Sequence, residues 1–190
     1  LLKDPAAFMC DFLMFVADVN GAAGKRSAVY MTDTCFNTIM HMKQALEQWK
    51  NDPDASEETI YNKYLEFRAS SLGLNITNQD ELLATKFGCM TRSYGKKRGL
   101  ILKQAVAALP EADKALVIEQ FLGDNHPEHP TATYIPAVLL NEMRNQKLGK
   151  TEDGRLFKAI QIGAPFVAKT LKMYREGILD GSIANTNNTL

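Results

Sequence analysis

The chain has 190 residues, 45% of them hydrophobic and 23% charged, and its 22 basic side chains are matched by 22 acidic ones. That length suits one well-buried core or two small lobes, and the composition excludes a disordered or low-complexity protein. A net charge of zero also argues against a dedicated double-helix binder, so any attraction to a polyanion must come from local clustering.

In chain order, Asp4 and Pro5 are suited to start a helix that carries Phe8, Phe12, Phe15, Val16 and Val19 and stops at Asn20-Gly21. Its wide apolar face predicts a central position. A second helix is expected from Thr34 to Lys50, with Cys35, Ile39, Met42, Leu46 and Trp49 on one seam. Asp54 and Glu57 form the pattern of a capping box for a third helix, through Ile60, Tyr61, Tyr64, Leu65 and Arg68 to Gly73. Asn78 and Glu81 open a fourth, with Leu82, Leu83, Phe87 and Met90. A fifth carries Leu100, Ile101, Ala105 and Leu109, and a sixth begins at Pro110 with Leu116, Val117, Phe121 and Leu122 inward. The polar segment Asp124 to Thr133 predicts a hinge. Beyond it Pro136 starts a helix with Val138, Leu139, Leu140 and Met143 that runs to about Gly149, and Thr151 caps another with Leu156, Phe157 and Ile160 inward. Gly163-Ala164-Pro165 is expected to break or kink that one, ahead of a last helix with Phe166, Val167, Leu171, Tyr174 and Ile178.

The expectation is an all-α, compact bundle of eight or nine helices. It has an N-terminal lobe (1–123), a C-terminal lobe (124–181) and a polar tail (182–190), hinged near 123–133. Cys10, Cys35 and Cys89 have no disulfide-like spacing, which favours reduced thiols buried in a core and a cytoplasmic setting. No apolar run reaches the roughly 20 residues that span a bilayer, and the start at Leu1 lacks the basic region of a signal peptide. No membrane partner is expected.

Several segments bear on chemistry. Gly21 to Ser27 (GAAGKRS) has a phosphate-loop flavour, but the spacing between its glycines is short and a helix precedes it. Asp124, His126, Glu128 and His129 carry ligand-type side chains. Pro127 and Pro130 prevent a helix from presenting both imidazoles on one side, so the segment reads as a solvated loop. His41 and Cys35 are six residues apart on different faces of a helix. No catalytic set, metal site or cofactor is expected, and the chain reads as non-enzymatic.

The stretch from Leu82 to Pro110 contains no Asp or Glu yet holds Lys86, Arg92, Lys96, Lys97, Arg98 and Lys103. Its turn, Thr91 to Gly99, combines loop-mounted cations, glycines that let backbone N–H groups approach phosphate, and Tyr94 to stack on an unpaired base. Lys169, Lys172 and Arg175 form a second basic strip, extended by Arg144, Lys147, Lys150 and Arg155 if folding brings them near. These features predict phosphate-mediated binding of single-stranded nucleic acid, in particular RNA, by a self-associating nucleocapsid- or coat-type subunit, in the cytoplasm or a virion. The competing expectation is a solvated surface whose cations pair with Glu47, Asp52, Asp54, Glu57 and Glu58.

The segment IYNKYLEFRASSLGLNITNQDELL is similar to the middle of a regulator of G-protein signalling domain, and LLKDPAAFMCDFL resembles that family's opening helix. The family's Glu-Asn followed by Phe-Trp is absent, as is its Phe-Asp-x-Ala-Gln stretch, so no residue roles carry over. The resemblance implies a helical adaptor that binds another protein.

Overall fold

The computed structural model describes residues 10, 13–14, 33–52, 54–123 and 135–176, and all regular secondary structure among them is helical. Seven α-helices are α1 (Asp33–Asn51), α2 (Glu57–Leu72), α3 (Gln79–Met90), α4 (Gly95–Ala107), α5 (Glu111–Leu122), α6 (Ile135–Arg144) and α7 (Glu152–Arg175). A 3-10 turn, Gln146–Leu148, precedes α7. Most of the expected first helix lies outside the described residues, as does the expected hinge. Cys10, Leu13 and Met14 are helical there and exposed, so Cys10 is not the buried thiol its residue type suggests.

The chain divides into two compact units, Leu1–Ser71 and Leu72–Leu190. The division falls at the end of α2 and not at the polar connection near 123–133, because helices from both sides of that connection share one core.

In the first unit, Ile39 and Ala45 of α1 and Ile60, Leu65 and Ala69 of α2 are buried. His41 of α1 stacks on Phe67 of α2 with ring centroids 5.6 Å apart. Burial, and then the nearby Arg68 charge, hold the His41 imidazole below the usual histidine range. Met42, expected on the α1 seam, is exposed. The cap of α2 is Ser56, whose Oγ accepts from Thr59 N at 3.1 Å, in place of the expected Asp54.

The second unit is organised around α7, which packs against α6, α4 and α5, while α3 packs on α4. Its core comprises Leu83, Ala84 and Phe87 (α3), Leu102, Ala105 and Val106 (α4), Val117 (α5) and Leu139 (α6). From α7 it takes Leu156, Ile160, Ala164, Val167 and Ala168. Phe87 meets Phe121 edge-on at 5.3 Å. Asn78 caps α3 by accepting from Glu81 N at 3.1 Å, and Thr151 caps α7 by accepting from Gly154 N at 3.1 Å.

Two expectations fail here for packing reasons. Pro165 does not break α7, which runs unbroken from Glu152 to Arg175. Proline removes one intrahelical bond at a cost of roughly 3 kcal/mol, and burial of Ala164, Val167 and Ala168 around it offsets that loss. Leu100 and Phe166, expected inside, are 55% and 64% exposed: Leu100 lies across α4 from its buried face, and Phe166 lies to one side of the buried face of α7.

Candidate functional site

The basic turn is an ordered structure. Thr91 Oγ1 donates to the Phe87 carbonyl at 2.7 Å and lies 2.8 Å from Ser93 Oγ, while Ser93 N donates to the Gly88 carbonyl at 2.9 Å. Thr91 and Ser93 are buried. Arg92 takes the left-handed conformation (φ 50°) that tight reversals demand and that residues with a Cβ rarely adopt. Tyr94 is the half-buried N-cap residue of α4, so Lys96, Lys97 and Arg98 belong to the first turn of a helix and not to a loop.

Gly88 and Gly99 serve packing, whereas Gly95 takes a left-handed φ of 78° with open space where a Cβ would stand. A Cβ on Gly99 would lie 2.0 Å from the Leu72 carbonyl oxygen, and one on Gly88 would lie 2.6 Å from Leu72 Cδ1. Both positions let Leu72 lie close against α3 and α4.

Three cations in the first turn of α4 oppose its own dipole, and that turn contains no acid. The first turn of α7 supplies the compensation. Lys97 Nζ lies 2.6 Å from Asp153 Oδ2, and Arg98 reaches Glu152 at 2.7 Å and Asp153 at 3.2 Å. The Lys97 hydrogen bond, aided by the Arg98 charge, holds the Asp153 carboxyl below the usual carboxylate range. Lys103 pairs with Glu81 at 2.7 Å. Glu81 also accepts from Asn75 N at 2.7 Å, and these two bonds lower its pKa. These partners are Glu81, Glu152 and Asp153, where the solvated-surface reading expected the acidic stretch between Glu47 and Glu58.

Other expected phosphate contacts cap helices. Lys86 Nζ donates to the Phe121 carbonyl at 2.9 Å, in the last turn of α5, and burial lowers its pKa. Arg175 donates to the Gln120 carbonyl at 3.5 Å and to the Gln120 side chain. Arg155 donates to the carbonyls of Met143 at 2.8 Å and Gly149 at 3.2 Å, closing the carboxyl end of α6. Lys172 lies 3.9 Å from Glu176.

Arg92, Lys96 and Lys169 are exposed, and Lys97 remains 82% exposed despite its partner. The two basic strips are not brought together. The α4 cations meet α7 at Asp153, about 24 Å along the helix from Lys169 at 1.5 Å per residue. Lys147 and Lys150, in contrast, are exposed just before α7 begins, at the end where α4 also begins.

The sequence reading missed the outer face of α7. Lys158, Ile162, Phe166 and Lys169 are all exposed, with Ile162 at 52% and Phe166 at 64%. Their spacing of four, four and three places them on one side of the helix. The signal was present: Ile162 and Phe166 are out of phase with Leu156, Ile160 and Val167. The assumed break at Pro165 concealed it.

Among the described residues no group of three or more His, Cys, Asp or Glu is placed to hold a metal, and no helix is long and apolar enough to cross a membrane. The segments Gly21 to Ser27 and Asp124 to Pro130 lie outside the described residues. No curated protein and no solved structure matches the chain. Residues 2–186 match a family described as a family of unknown function (DUF6829), and the chain belongs to that family.

Proposed function

We propose that this protein is a non-enzymatic helical interaction module that docks another protein on the outer face of α7, acting in the cytoplasm. One observation carries the reading: Ile162 and Phe166 are large apolar side chains that stay exposed on a helix whose opposite face is fully packed. The cations that favoured a polyanion have, for the most part, carboxylate or carbonyl partners within the second unit. A photoreactive residue at position 166 of the full chain, expressed in cells, tests the proposal. A protein adduct should form from position 166, should not form from the exposed Gln104, and should disappear with Ile162→Glu. Equal adducts from 166 and 104 would overturn the reading.

A second reading, phosphate-mediated binding of single-stranded nucleic acid by an assembling subunit, is favoured by a different observation. Lys96, Lys97, Lys147 and Lys150 are exposed where α4 and α7 begin, and surface ion pairs as open as Lys97–Asp153 hold a lysine only weakly. Titration of a labelled oligonucleotide at two salt concentrations separates the two. Affinity that falls steeply with salt and is abolished by Lys96→Glu with Lys97→Glu would favour this reading.

A further inference from the structure

The outer face of α7 has a charge pattern as well as an apolar centre. Lys158 and Lys169 stand at either end of the Ile162–Phe166 pair, eleven residues and about 16 Å apart along the helix. Both are exposed, and among the described residues neither forms an ion pair. Most of the other basic residues of the second unit are treated differently: Lys97, Arg98, Lys103 and Lys114 have carboxylate partners, and Lys86, Arg155 and Arg175 cap backbone carbonyls. The ends of this face are therefore positive while its centre is apolar.

We infer that the occupant of this face is an acidic amphipathic helix: two or three apolar residues at helical spacing, flanked by carboxylates about three turns apart. This rests on the docking reading above and adds the chemistry of the partner. The same pattern argues against a second copy of the chain. A two-fold pairing centred between Ile162 and Phe166 lays Lys158 of one copy almost opposite Lys169 of the other, and like charges in register repel. A carboxylate-flanked helix reverses that repulsion and buries the same apolar pair, combining apolar anchors with complementary charge at the rim.

The test uses the full-length chain and two synthetic helix-forming peptides. One carries leucines at i and i+4 between glutamates eleven residues apart; the other is identical except that lysines replace those glutamates. Fluorescence anisotropy at low salt should show the glutamate peptide binding at least tenfold tighter than the lysine peptide. Phe166→Glu should abolish binding, and Lys158→Glu with Lys169→Glu should reverse the preference. Swapping charges on the peptide needs no altered protein, so a variant that folds poorly does not compromise the result. Equal binding of the two peptides, lost in Phe166→Glu, would overturn the acidic partner and leave the docking reading intact. No binding of either peptide overturns the inference too, and cross-linking from position 166 then decides separately whether the docking reading falls. A dimer by light scattering that Phe166→Glu dissociates would make a second copy the occupant and overturn the inference. Oligonucleotide binding abolished by Phe166→Glu would overturn it in favour of nucleic acid.

Discussion

The two faces of α7 reverse the usual distribution of side-chain size. Its inner face is rich in small residues, with Ala159, Gly163, Ala164 and Ala168 all buried alongside Leu156, Ile160 and Val167. Its outer face displays Ile162 and Phe166. The inner face is small because three helices crowd against it: a Cβ on Gly163 would sit 2.8 Å from Leu139 Cδ2. Close approach, and not bulk, sets the inner composition. The outer residues play no part in that packing, which is why their size calls for another explanation.

Truncating each face of α7 in turn should give opposite results. Leu156→Ala should cost about 2–5 kcal/mol, as other fully buried leucines do, and lower the thermal midpoint sharply. Ile162→Ala is the matching change outside, and its result belongs at the other end of the scale. Gly163→Ala should cost no more than about 2 kcal/mol, because overpacking against Leu139 is partly offset by the better helix propensity of Ala. Combining it with Leu139→Ala should give less than the sum of the two single losses, since one opens the space the other fills. Arg155→Met should cost about 1–2 kcal/mol in denaturant unfolding, because charge-assisted bonds to the Met143 and Gly149 carbonyls are lost at the carboxyl end of α6.

A smaller effect sharpens the contrast between paired and unpaired cations. Asp153 and Glu81 have folded-state pKa values below their unfolded ones, so their contribution is present above about pH 4 and is lost as pH falls through the depressed values. Asp153→Asn should flatten part of that acid dependence, whereas Lys169→Gln should leave it unchanged. The smallest effect is expected outside: Ile162→Ala should change folding stability by no more than about 0.5 kcal/mol while removing peptide binding.

Helix existence was legible in the sequence where short-range chemistry decides it. Asn78 and Thr151 cap the helices they were expected to cap, and Leu83, Phe87, Leu139, Leu156 and Ile160 are buried as their spacing requires. The basic stretch was legible as composition and misleading as a loop. Its acidic partners Glu152 and Asp153 are more than fifty residues away, on a helix whose start was recognised but whose neighbour was not. The cation that caps α5 from α3, Lys86, had no local signal at all, since its acceptor lies 35 residues on.

By itself, the sequence determined that the chain is helical, where most of its helices begin, and which residues are apolar enough to form a core. Those properties follow from caps and periodicity within a few turns. Only the tertiary structure decided that α7 passes through Pro165, that Gly88 and Gly99 serve the approach of Leu72, and which cations are neutralised. It also decided that Ile162 and Phe166 face outward. Each of these depends on which helix lies opposite, and opposite charges or close backbones meet across distances in sequence that no local pattern encodes.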